Sequence, residues 1–130
     1  SEGIPPVTRH LLILTALAEA ATGVALIVMP SAVASLLFGT WLESPGALAT
    51  GHVAGAALLS IGVVCWLVRD DGQARAGRAV VMTLLVYNLA VAAVLAHAGV
   101  FLELEGIGLW PAAGAHGVLS VWCIASLRQV

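Results

Sequence analysis

Apolar residues fall in long unbroken runs along this chain, separated by short polar punctuation. The first run, Leu11 to Met29, is 19 residues (LLILTALAEAATGVALIVM) broken by one acid, Glu19, at its centre. Further runs follow near 47–68, 79–98 and 112–127. A helix rises about 1.5 Å per residue, so runs of this length match the roughly 30 Å hydrocarbon core of a bilayer. The pattern predicts an all-α integral membrane protein, one domain over 1–130, with four spanning helices at about 9–29, 47–68, 79–98 and 112–127. Residues 1–8, with a proline pair, read as an extended lead-in.

Punctuation places the remaining elements. Pro30 breaks the first helix, and Ser31 is expected to cap a short helix over 32–38, too short to span. That segment is expected at the interface, with Val33, Leu36 and Leu37 facing lipid or the bundle. Gly39 ends it. Gly51, Gly55 and Gly62 form one stripe on the second span and predict close helix packing. RDDGQARAGR is read as a polar connection, and Pro111 as opening the last helix.

Composition supports this class. The chain is 61% hydrophobic and 9% charged, against about 25% charged in soluble domains. It has five arginines, no lysine and a net charge of −2, which leaves no basic patch for nucleic acid. Arg9, Arg69, Arg75, Arg78 and Arg128 all precede or follow spans on one side. Glu43, Glu103 and Glu105 occupy the other. The positive-inside rule then predicts a multi-pass inner-membrane protein with both termini cytoplasmic, and Trp41 and Trp110 at the outer interface. An apolar run too long for a signal peptide, followed by three more, is read as a permanent first helix. Cys65 and Cys123 lie in apolar runs outside any zinc or CxxC spacing and read as small buried hydrophobes.

Candidate chemistry is confined to a few polar groups at span depth. Glu19 and Asn88 lie near the predicted midplane, and His52 and His116 each about five residues in from the outer end. Ionisable groups in spans mark ligand or ion pathways, or are clasped by neighbouring helices. Glu19, Tyr87 and Asn88 are candidates for ligand binding or proton coupling, and Asn88 with Tyr87 also reads as interhelical glue. His52 and His116 are a candidate pair for haem or a metal ion, neutral imidazole suiting iron, copper and zinc. His97 is nine residues from Asn88, half a turn out of alignment, and is expected to reach the outer interface. No Ser/His/Asp set, phosphate loop or usefully spaced carboxylate pair is present, so a catalytic role is not predicted.

Two resemblances rest on particular stretches. AEAATGVALIVMPSAVASLLFG, then AGAALLSIGVVCWLVRD and LLVYNLAVA, resemble the small bacterial four-helix membrane proteins grouped with DoxX-like families. For some of these, that likeness implies a subunit of a quinone-linked redox system. It carries no cofactor motif onto this chain. LAEAATG is similar to the first helix of small multidrug resistance transporters, which implies proton exchange against a cationic substrate at Glu19 within a dimer. Against that, the one-sided arginines and the third span depart from the transporter pattern. The reading adopted from the sequence is a small non-catalytic subunit, or a binder of a lipid or quinone in the bundle interior, with a homo-oligomer or larger membrane complex as partner. A proton-coupled transporter using Glu19 and a redox protein using His52 and His116 are the alternatives.

Overall fold

A computed structural model describes residues 3–71 and 74–129. The described residues form five α-helices and no strand: α1 Pro6–Val28, α2 Pro30–Phe38, α3 Pro45–Val68, α4 Ala74–Phe101 and α5 Leu109–Leu127. Three segments are long and apolar enough to cross a membrane, Pro6–Val28, Pro45–Val68 and Arg75–Phe101. The 19-residue α5 starts at Leu109, with the expected opener Pro111 inside its first turn, carries His116 and two glycines, and is not among them.

Proline sets most of the helix starts, because a first-turn residue needs no N–H donor and proline's φ is already helical. Pro6 opens α1 three residues before the predicted start, so part of the expected extended lead-in is helical. Pro30 itself opens α2 after Met29, whose φ of −142° ends α1. Ser31 is therefore not the cap expected of it. Its hydroxyl instead donates to the Leu42 carbonyl at 3.2 Å and ties α2 to the following loop. Ser44 caps α3 by accepting from the Ala47 amide at 3.1 Å, with Pro45 next. Helix α4 starts at Ala74 rather than 79, since alanine and arginine extend a helix readily. Gly39, at φ +72°, closes α2 in the left-handed conformation that glycine adopts without cost.

Helix α1 packs chiefly along α3, and α4 along α5, while the two pairs meet through smaller contacts. The α1–α3 crossing is nearly backbone on backbone. A Cβ built on Gly23 would lie 2.7 Å from the Gly55 carbonyl oxygen, and one on Gly62 would lie 2.9 Å from that of Ala16. The predicted glycine stripe is thus an intramolecular seam. Between the pairs, Leu11, Leu12, Cys65, Val81, Leu84 and Cys123 fill one half of the molecule. Both cysteines are fully buried among apolar neighbours. Leu95, Ala98 and Leu109 form a smaller cluster at the other end. Much of the outer surface is apolar, with Leu17, Val53, Leu67, Val86 and Val118 exposed.

The arginine end is tied by polar contacts. Arg9 Nε lies 2.7 Å and Arg69 Nε 3.1 Å from opposite oxygens of Asp70. Arg78 donates to the Leu127 carbonyl at 3.1 Å, and Trp122 Nε1 to that of Val7 at 3.2 Å. The Arg69 guanidinium sits 3.7 Å over the Trp66 ring. The hydrogen bond from Arg9, with the two guanidinium charges, outweighs desolvation and holds the Asp70 carboxyl below its ordinary value. A lowered folded pKa contributes stability above the unfolded value of about 3.9 and loses it as pH falls through the folded one. The thermal stability difference between wild type and Asp70→Asn is therefore expected to be constant from pH 8 to about 5. Below about pH 4 it should shrink toward zero. A difference that persists undiminished at the acid end would show that the carboxylate charge is not its source.

Candidate functional site

The half of the molecule away from the arginines holds a partly open cavity. It measures about 860 Å³ and lies between the two helix pairs, with walls from α1, α3, α4 and α5 and the short α2 across it. That volume is within the roughly 300–1,000 Å³ of ordinary small-molecule sites. Its lining is largely apolar, including Leu26, Val33, Leu37, Leu58, Val91 and Leu95. Glu19, Tyr87 and His116 lie along it as its ionisable groups, where the packed core of the other half begins. Thr22 and Thr50 add hydroxyls, and that of Thr50 donates to the Gly46 carbonyl at 2.9 Å within its own helix.

These polar groups form a connected chain across three helices. The Tyr87 hydroxyl on α4 donates to Glu19 Oε2 on α1 at 2.9 Å. The Tyr87 ring meets the His116 ring of α5 edge-on, with centroids 5.6 Å apart and planes at 83°. His116 Nδ1 lies 2.7 Å from Asn88 Oδ1. Asn88 Nδ2 donates to the Leu84 carbonyl at 2.8 Å. The Ser120 hydroxyl donates to the His116 carbonyl at 2.8 Å. Glu19 is 5% exposed and Asn88 fully buried, so each polar atom that lost its water needed a protein partner.

Local sequence explains how one helix supplies two members. Tyr87 and Asn88 are adjacent, and adjacent helical residues point about 100° apart. Tyr87 can therefore reach α1 while Asn88 turns into the α4–α5 contact. On α1, Thr15, Ala16, Glu19 and Gly23 recur at helical spacing and are all buried, which brings the acid inward.

Four of the five residues singled out in the sequence, Glu19, Tyr87, Asn88 and His116, are brought together here. His52 is not. It is exposed and does not line the cavity, because glycines 51, 55 and 62 take the inward stripe of α3 and His52 lies a residue round from it. The structure thus separates the expected His52–His116 pair. His97 is exposed against Phe101, with ring centroids 5.1 Å apart. Among the described residues, no three or more His, Cys, Asp or Glu side chains group so as to hold a metal ion. Sequence reasoning leaves α2 facing lipid or the bundle; Pro30 and Ala34 are buried against the bundle, and Val33, Leu36 and Leu37 line the cavity. It also misses the direct Glu19–Tyr87 bond, for which the matched depths of the two residues are the available signal.

The chain matches no family model, no curated protein and no solved structure. Neither the DoxX-like nor the small multidrug resistance resemblance gains support from these comparisons.

Proposed function

We propose that this protein is a four-span bacterial inner-membrane protein that binds an amphiphile, a lipid or quinone, in the cavity between its helix pairs. The observation that carries the reading is the cavity itself. It is a large, mostly apolar space with a polar cluster, Glu19, Tyr87 and His116, on its wall. An apolar tail would be received by Leu37, Leu58 and Val91, and a small polar head by the cluster. The exposed apolar belt supports insertion, and the segregation of the arginines from Glu43, Glu103 and Glu105 supports cytoplasmic termini. On this reading α5 spans beside α4, and α2 lies at the outer interface as a lid on the cavity.

Nothing in the cluster is arranged for bond breaking. The Tyr87 hydroxyl and one Asn88 N–H are committed within the protein, and no second carboxylate or nucleophile faces Glu19 among the described polar contacts. Binding without turnover is the activity this geometry supports best.

The experiment is extraction of the protein purified in mild detergent, followed by mass spectrometry of the organic phase. Wild type is expected to release one amphiphile in roughly stoichiometric amount, enriched over the bulk lipid. Ala112→Leu, which places a larger side chain in the cavity wall, is expected to lower the occupancy at least about tenfold, one steric clash being worth over 1 kcal/mol. Equal occupancy in the two proteins, or no enrichment in wild type, would overturn the reading.

A further inference from the structure

The hydrogen bonds around Asn88 fix more than a side-chain position. A backbone carbonyl can only accept, so the end of the Asn88 amide that faces the Leu84 oxygen at 2.8 Å must be its NH2 group. The other end, Oδ1, is then an acceptor, and it faces His116 Nδ1 at 2.7 Å. His116 must donate there. In the neutral ring the proton is on Nδ1, and Nε2 is left as a bare acceptor. No described residue bonds Nε2, and His116 lines the cavity.

The other cluster groups show the same polarity. The Tyr87 proton is committed to Glu19, which leaves the phenol oxygen with lone pairs, and Glu19 Oε2 is itself an acceptor. The Ser120 and Thr50 hydroxyls have donated to carbonyls of their own helices. Thr22 alone keeps a hydroxyl that can work either way. No arginine or tryptophan lines the cavity, and the chain has no lysine. With Glu19 as the carboxylate, the groups lining the head of the site offer acceptors, and Thr22 is the one hydroxyl donor left among them.

We infer that the cavity selects an amphiphile whose head carries a hydroxyl donor, received by His116 Nε2, with Asn88 as the positioning residue that sets the tautomer. This rests on the ligand-binding reading above and narrows it. A phenolic hydroxyl on an alkyl tail and the free hydroxyl of a diacylglycerol share the required chemistry. A head with only ether or ester oxygens would set acceptor against acceptor, covering the imidazole nitrogen while leaving it unpaired.

The test uses the full chain in detergent, stripped of endogenous ligand, with binding followed by calorimetry. The probes are 4-nonylphenol, its methyl ether 4-nonylanisole, and 1,2-dioctanoylglycerol beside its methyl ether. For the head that fits, the hydroxyl form is expected to bind at least about tenfold more tightly than its ether. Which pair shows the difference tells the aromatic source from the lipid one. In His116→Phe, which keeps a ring against Tyr87 but has no acceptor, the preference is expected to fall to about one. Nitrogen NMR of labelled histidine in wild type is expected to show His116 protonated at Nδ1 and bare at Nε2, and Asn88→Leu to lose that fixed tautomer. Equal binding of alcohol and ether would overturn this inference and leave the cavity reading standing. Binding of none of the four would overturn both. An Nε2-protonated His116 in wild type, or an undiminished preference in His116→Phe, would overturn the inference whatever the affinities.

Discussion

Gly55→Ala is expected to destabilise the protein by about 2 kcal/mol or more, while the same change at Gly114 stabilises it slightly. Each substitution adds one methyl group to a glycine inside a helix. At Gly55 the new carbon would lie 2.7 Å from the Gly23 carbonyl oxygen and 2.9 Å from the Leu26 Cβ. The first of these is backbone, which cannot rotate away, so α1 and α3 must separate along their seam. Every dispersion contact of that crossing weakens when they do. At Gly114 nothing lies within 4 Å, so the methyl group only removes backbone freedom from the unfolded chain, worth up to about 1 kcal/mol. Thermal unfolding in mild detergent, followed by the intrinsic fluorescence of the four tryptophans, reads both effects. Gly23→Ala should cost as much as Gly55→Ala, and the double variant less than their sum, because both open the same contact. Equal midpoints for Gly55→Ala and Gly114→Ala would mean that the crossing is not what holds α1 to α3.

A second large effect is expected at Gly106, in the loop between α4 and α5. A Cβ on this residue would overlap the carbonyl group of Leu37, near the end of α2. Two residues on, the Gly108 amide donates to the Leu36 carbonyl at 2.8 Å. The loop and α2 therefore meet backbone to backbone, and this contact holds α2 across the cavity. Gly106→Ala should break the Gly108–Leu36 bond and swing α2 outward. The long helices should be untouched, so the helical circular dichroism should match wild type. Occupancy by the proposed amphiphile should fall at least about tenfold, one lost buried hydrogen bond with its packing being worth over 1 kcal/mol. A variant that keeps its ligand and its unfolding midpoint would show that α2 is not the closing wall.

The two predictions differ in how far the chain itself announces them. Gly51, Gly55 and Gly62 recur at a spacing that marks one helix face, so a close packing seam is legible from the amino-acid order. Its partner is not. A glycine stripe says that a backbone can approach, but Gly23 and Ala16 are identified as the surfaces that do so only by the fold. Nothing around Gly106 in VFLELEGIGLWP distinguishes it from Gly108, and its contact with Leu37 spans 69 positions of sequence.

Local pattern and transfer energy govern everything about this protein that its sequence dictates unaided. The long apolar runs must be helices, because a buried backbone needs its hydrogen bonds satisfied within the segment. Proline and glycine set their limits, although Pro6, Pro30 and Ala74 move the predicted starts by a few residues. Glu19, Asn88 and His116 stand out because polar groups in such runs need partners. Which partners they have is a matter of tertiary packing. His52 and His116 match in predicted depth, yet depth fixes only the position along a helix. Rotation about the axis is set by which face packs best. On α3 the three glycines take the inward face and turn His52 outward. On α5, Ser120 and Cys123 pack inward on the same stripe as His116 and bring it to Asn88. The cavity exists because bulky core residues fill one half of the space between the helix pairs and the short α2 only covers the other. That division depends on side chains from five helices meeting at once, which no local pattern encodes.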